Sequence, residues 1–126
     1  MKKITTSTMS IFLDRNDILR INILENVEID IKEAIKNCGA IIEAADNKRS
    51  LIIVNTASNW TITTAARIYF VQENVFKRTI AIAFVTNSLS SRLVVNFFMK
   101  LHTISLPMKS FPHEEKAVEW LKTFKE

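Results

Sequence analysis

The chain has 126 residues, 48% of them hydrophobic, with a formal net charge of +4 and a single cysteine. That suits one domain spanning residues 1–126, large enough to bury a core without disulfide or metal support. The one glycine in the sequence excludes glycine-rich phosphate loops, and no apolar run approaches the roughly 20 residues that cross a bilayer.

Met1, Lys2 and Lys3 resemble the charged start of a secretory signal, but Thr5 to Thr8 follow where an apolar stretch is required. The expectation is a cytoplasmic protein, with disorder confined to residues 1–8. Ser10 to Asp14 and Leu19 to Ile23 alternate in polarity around Asn16-Asp17, which predicts a hairpin with one buried face. Asp30 stands three residues before Glu33 in capping-box spacing, and Ile31, Ala34, Ile35, Cys38, Ile41, Ile42 and Ala45 keep a helical rhythm. A first helix is therefore expected over residues 31–45. Gly39 inside it suggests a close approach to the sheet. Cys38 falls on the apolar face and reads as a small buried hydrophobe rather than a reactive thiol.

Leu51 to Val54 and Ile80 to Val85 are apolar without alternation. Such runs belong to inner strands covered on both faces, here neighbouring and parallel. Between them Thr63 is the expected cap of a second helix reaching residue 75, with Ala66, Tyr69 and Phe70 inward. A third helix over residues 89–101 has Leu93, Val94, Phe97, Phe98 and Leu101 as its inward stripe and Arg92, Asn96 and Lys100 outward. Val95 and Met99 are left on its flank, as a candidate oligomer face. A short strand over residues 108–111 precedes a fourth helix opened by Pro112, with Ala117, Trp120, Leu121 and Phe124 on one side and Glu114 and Glu115 in its first turn. The predicted fold is α/β, with a mixed sheet of about five strands and four helices in the order hairpin, then α-β-α-β-α-β-α.

Charge is uneven. Residues 47–113 carry eight Lys/Arg against one Asp/Glu, a balance that attracts acidic partners. Lys48, Arg49, Lys77, Arg78 and Lys109 are expected at turns and strand edges. The basic residues are not interleaved with aromatics, so nucleic acid is not the expected partner. His102 and His113 lack a carboxylate or thiol at ligand spacing, no nucleophile has a base beside it, and no catalytic residue, metal or cofactor is assigned.

From Thr61 onward the sequence resembles a known group. The segments Ile62-Thr63-Thr64-Ala65-Ala66-Arg67, Ala81 to Arg92, Asn96-Phe97-Phe98, and Pro107 to Phe111 running into Glu114 to Leu121, with the element order, resemble small bacterial SpoIIAA-like domains of the anti-sigma-factor-antagonist (STAS) fold. Better-known members of that fold carry Asp-Ser-Ser/Thr-Gly at the start of the second helix, where a kinase partner phosphorylates the hydroxyl. Here Thr63 and Thr64 keep the hydroxyls without the aspartate and glycine. The resemblance implies a non-enzymatic regulatory module that binds a protein and forms a dimer. It offers Thr63 or Thr64 as the phosphorylated position, although helix capping is the favoured account of Thr63. The loops after the parallel strands suggest a docking edge of Trp60, Thr86, Asn87, Ser88, Ser90 and Arg92. The alternative function is a carrier of a small apolar or anionic ligand. An apolar cavity under the third helix would favour the carrier; exposed Val95 and Met99 would favour the interaction module.

Overall fold

In the computed structural model, residues 3–56, 59–72, 77–100 and 106–125 are described. The predicted hairpin forms from β2 (Met9–Leu13) and β3 (Ile18–Ile23), antiparallel and in register from Met9 opposite Ile23 to Leu13 opposite Leu19. Asp14 organises the turn: its carboxylate accepts from the backbone N–H groups of Asn16 at 2.8 Å and Ile18 at 3.0 Å. Asp17 then turns the chain at a φ of 60°, a left-handed conformation that Asp and Asn tolerate best among residues with a side chain.

The inner strands lie where the apolar runs place them. β5 (Ser50–Asn55) runs parallel to β3 on one side and to β7 (Thr79–Val85) on the other, and β8 (Met108–Phe111) closes the far edge beside β7. Residues 51–54 and 81–84 are all buried. A strand that the sequence pattern did not show, β1 (Lys3–Thr5), adds an edge antiparallel to β2. The main sheet therefore has six strands in the order β1-β2-β3-β5-β7-β8.

Side-chain alternation divides the core. Ile82 and Phe84 of β7 face the larger cluster, with Ile52 and Val54 of β5 and Leu19, Ile21 and Ile23 of β3. This face is covered by α1 (Ile31–Ala44), α2 (Thr64–Gln72) and α3 (Leu89–Lys100). On the other face Ala81 and Ala83 meet Ala117 and Leu121 of α4 (Glu114–Lys122). Two alanines on the strand leave room for a helix to lie close, so one short helix roofs the centre of that face.

The first three helices each start at a side-chain cap, whereas His113 before α4 makes no capping bond. Asp30 accepts from the Glu33 N–H at 2.9 Å, Thr63 from Ala66 at 3.2 Å, and Ser88 from Ser91 at 3.1 Å. Two short strands, β4 (Val27–Ile29) and β6 (Trp60–Ile62), pair in parallel immediately before α1 and α2, and the Thr63 N–H donates to Ile29 at 3.0 Å. This ribbon sets the two helix N-termini side by side. Gly39 differs from expectation: it is exposed, and a Cβ there would meet nothing within 4 Å. The glycine is not required by contact with the sheet. The expected last turn of the second helix (residues 73–75) and Leu101 lie outside the described residues.

Candidate functional site

The helix α3 is rotated from its predicted setting by roughly 100°, one residue step of a 3.6-residue turn. Its buried ridge is Ser91, Val95 and Phe98. Val95 is 0% exposed and Met99 is half-buried against the core, so the candidate oligomer face is corrected: these two residues belong to the interior. Leu93 and Phe97, assigned inward, are 53% and 66% exposed, and Leu89 is 65% exposed. The physical reason lies in Ser91. A small residue on the inner ridge lets the helix pack closely, and Phe98 then meets Phe84 edge to face at 5.9 Å. Counting serine as a surface residue puts the stripe one position off.

The rotation leaves an apolar stripe of Leu89, Leu93 and Phe97 on the outside. Ile31 and Ile35 of α1 and Ile68 of α2 are the other exposed large hydrophobics among the described residues. All six sit on the three-helix layer; α4 on the opposite face has none. Between α2 and α3 the Arg67 guanidinium carbon lies 6.0 Å from the centre of the Phe97 ring, within cation–π range. Arg92 and Lys100 are exposed on α3.

The predicted docking edge is assembled in part. Thr56 donates through its N–H to Val85 at 3.2 Å, and Thr86 to Phe111 at 2.9 Å, so the loops after β5, β7 and β8 do share one edge. Asn87, Ser90 and Arg92 are exposed there and Ser88 is half-buried as the cap of α3. Trp60 and Thr86 are corrected. Trp60 is 7% exposed and Thr86 is equally buried, because Trp60 begins the short strand β6 and Thr86 is still bonded within the sheet. Neither offers a surface to a partner.

The two threonines separate clearly. Thr63 is half-buried and its hydroxyl is engaged as the cap, whereas Thr64 is exposed and its hydroxyl accepts from Arg67 Nη2 at 3.0 Å. Arg67 Nε is buried with no hydrogen-bond partner. An acceptor group carried on Thr64 would find both.

Beneath α3 lies a cavity of about 70 Å3 that the sequence pattern could not show. Its lining runs from Met9 and Ile23 of the sheet through Phe70 of α2 to Val95 and Phe98 of α3, all apolar, with Trp60 at the ribbon side. At ~24 cal/mol per Å3 such a void costs about 1.7 kcal/mol if empty. Trp60 Nε1 is buried without a hydrogen-bond partner, which costs about 1–3 kcal/mol.

Polar chemistry elsewhere is structural. Asn37 is fully buried; its amide accepts from the Thr6 hydroxyl at 2.7 Å and donates to Thr8 at 2.9 Å, tying α1 to the turn between β1 and β2. Arg20 bridges Asp14 at 2.7 Å and Glu114 at the start of α4, and Asn55 donates to Glu114 at 3.4 Å. Burial pushes the Asp14 carboxyl up, but the bond from Arg20 and those from the Ile18 and Asn16 N–H groups outweigh it and hold the pKa below the ordinary 3.8. Lys48 and Arg49 lie before β5, and Arg78 before β7 is bonded to Asn47, as charges at turns should be. Cys38 is buried. Among the described residues no group of three His, Cys, Asp or Glu side chains could hold a metal ion, and no helix is long and apolar enough to cross a membrane.

A family model described as "Domain of unknown function (DUF7793)" matches residues 11–125. No curated protein matches the sequence. The crystal structure of an uncharacterised DUF3478-family protein with a SpoIIAA-like fold from Shewanella loihica PV-4 superposes with a TM-score of 0.60 at 12% identity, over 94% of this chain and 98% of that one. The SpoIIAA-like fold expected from the element order is the fold observed; at this identity the likeness extends to the fold alone.

Proposed function

The chain belongs to the DUF7793 family, and from the outer surface of its helical layer we propose that it is a non-enzymatic regulatory module that binds an acidic, amphipathic helix of a partner protein. The observation that carries this is the exposed Leu89, Leu93 and Phe97 stripe, spaced as one face of a helix and bordered by Arg67, Arg92 and Lys100. Residues 47–113 contain one acid against eight cations, so the rim of this face is of one sign. Apolar anchors within a ring of cations fit a partner whose apolar stripe is edged by Glu or Asp. A second copy of the chain fits less well, since a two-fold contact through α3 sets the same cations against each other.

Regulation through Thr64 follows from the same geometry. A phosphoryl group on that exposed hydroxyl meets the N-terminus of α2 and the unpaired Nε of Arg67, and draws the guanidinium off Phe97.

The test uses two synthetic amphipathic helices with identical leucine stripes, one flanked by glutamates and one by lysines, titrated into the full chain and followed by backbone amide shifts. The acidic helix should bind and perturb residues 89–100, and the double substitution Leu93→Lys with Phe97→Lys should abolish this while the fold persists. Equal affinity for both helices, or perturbation elsewhere, refutes the proposal. A concentration-dependent doubling of mass that Leu93→Lys removes would assign the face to self-association instead.

A further inference from the structure

The outer side of α1 carries a glycine that the single chain does not explain. Gly39 is exposed, is not in a left-handed conformation, and a Cβ there would meet nothing within 4 Å, so neither the backbone nor the packing requires it. Glycine inside a helix costs stability, and its use there is to let another backbone lie close. The residues around it form two rows. Ile31 and Ile35, 38% and 50% exposed, follow one another by a helical turn along one flank. Lys32, Lys36 and Glu43 are exposed along the next, each one position after an isoleucine of the first row or its continuation at Ile42. On the neighbouring α2, Ile68 is 44% exposed. It stands level with Ile35, because Ile29 pairs with Ile62 in the ribbon that starts both helices.

The charges of this face run against their own helix. Lys32 lies in the first turn of α1, where the dipole favours acids, and Glu43 in the last, where it favours cations. A second copy laid antiparallel across α1 reverses both relations. With the two-fold centred between Ile35 and Gly39, Lys32 and Lys36 of each copy approach Glu43 of the other, and each Ile35 lies over the other copy's Gly39. Such a two-fold also keeps apolar row against apolar row and charged row against charged row. The symmetry that sets cations against each other across α3 pairs opposite signs across α1.

We propose that the exposed face of α1 is a self-association surface, on which a second copy of the chain docks antiparallel with the two helices crossing at Gly39. The face is separate from the Leu89, Leu93 and Phe97 stripe and stands whether or not that stripe docks an acidic helix.

Sedimentation equilibrium of the full chain tests this. The native mass should double as the protein concentration is raised to ~1 mM. Gly39→Leu, whose side chain enters open space in the single chain, should keep the amide spectrum of a folded protein and stay monomeric. Glu43→Lys sets like charges against each other in a pair of identical copies, and so does the double substitution Lys32→Glu with Lys36→Glu. Each of these two variants alone should associate about tenfold more weakly or less. An equimolar mixture of them should recover the doubled mass, since every pairing between the two is again of opposite sign. Leu93→Lys should leave the native association unchanged. A native chain that is monomeric at ~1 mM, a doubling that Gly39→Leu leaves intact or that Leu93→Lys removes, or a mixture no more associated than its components overturns the proposal.

Discussion

Truncating Val95 and Leu93 to alanine decides the setting of α3, on which the exposed stripe of the proposed docking face depends. Val95 is fully buried beside an existing void. Removing its two methyl-sized groups forfeits ~1.6 kcal/mol of transfer free energy at ~0.8 per carbon. The unrelaxed space raises this to about 2.5 kcal/mol, and alanine's better helix propensity returns ~0.5, for a net loss near 2 kcal/mol. Leu93 loses three carbons, but it is 53% exposed, so about half of the corresponding ~2.4 kcal/mol is at stake and the net loss is about 1 kcal/mol or less. Had the inward stripe followed the sequence pattern, Leu93 would be the core residue, at about 3 kcal/mol or more, and Val95 nearly neutral. Urea unfolding followed by tryptophan fluorescence, extrapolated linearly to water, measures both. A larger loss for Leu93→Ala than for Val95→Ala refutes the rotated setting, and with it the exposed stripe and the cavity wall.

Three further outcomes follow from the polar contacts. Asn37→Leu removes the bonds to Thr6 and Thr8 and should lower stability by about 2–3 kcal/mol; a urea midpoint unchanged from the native chain would show that the buried amide is not an anchor. The Asp14 pKa is lowered on folding, so its contribution is fully present above the ordinary carboxylate range and is lost as pH falls through the lowered value. The urea midpoint should therefore drop below about pH 4, and Asp14→Asn, which keeps an acceptor for the turn, should flatten that drop; identical pH profiles would contradict the assignment. Thr64→Glu should weaken the acidic helix by about tenfold through repulsion and recruitment of Arg67, whereas Thr64→Val should leave it unchanged; comparable affinity for Thr64→Glu and the native chain removes Thr64 as a switch.

What could be read from the sequence was whatever repeats over enough residues to set a period. The runs at Leu51 to Val54 and Ile80 to Val85 placed two neighbouring inner strands, and the hairpin and the caps at Asp30 and Thr63 appeared where expected. The strands β1, β4 and β6 have three residues each, too few for alternation to register. Missing β6 misplaced Trp60, since a tryptophan in a polar loop reads as a surface anchor when it is in fact the first residue of a buried strand. The setting of α3 failed for a different reason. That helix is apolar around most of its girth, so amphipathicity alone does not fix its rotation, and the deciding contacts, Ser91 toward the core and Phe98 against Phe84, are long-range. A cavity is longer-range still, being what remains when nine elements meet.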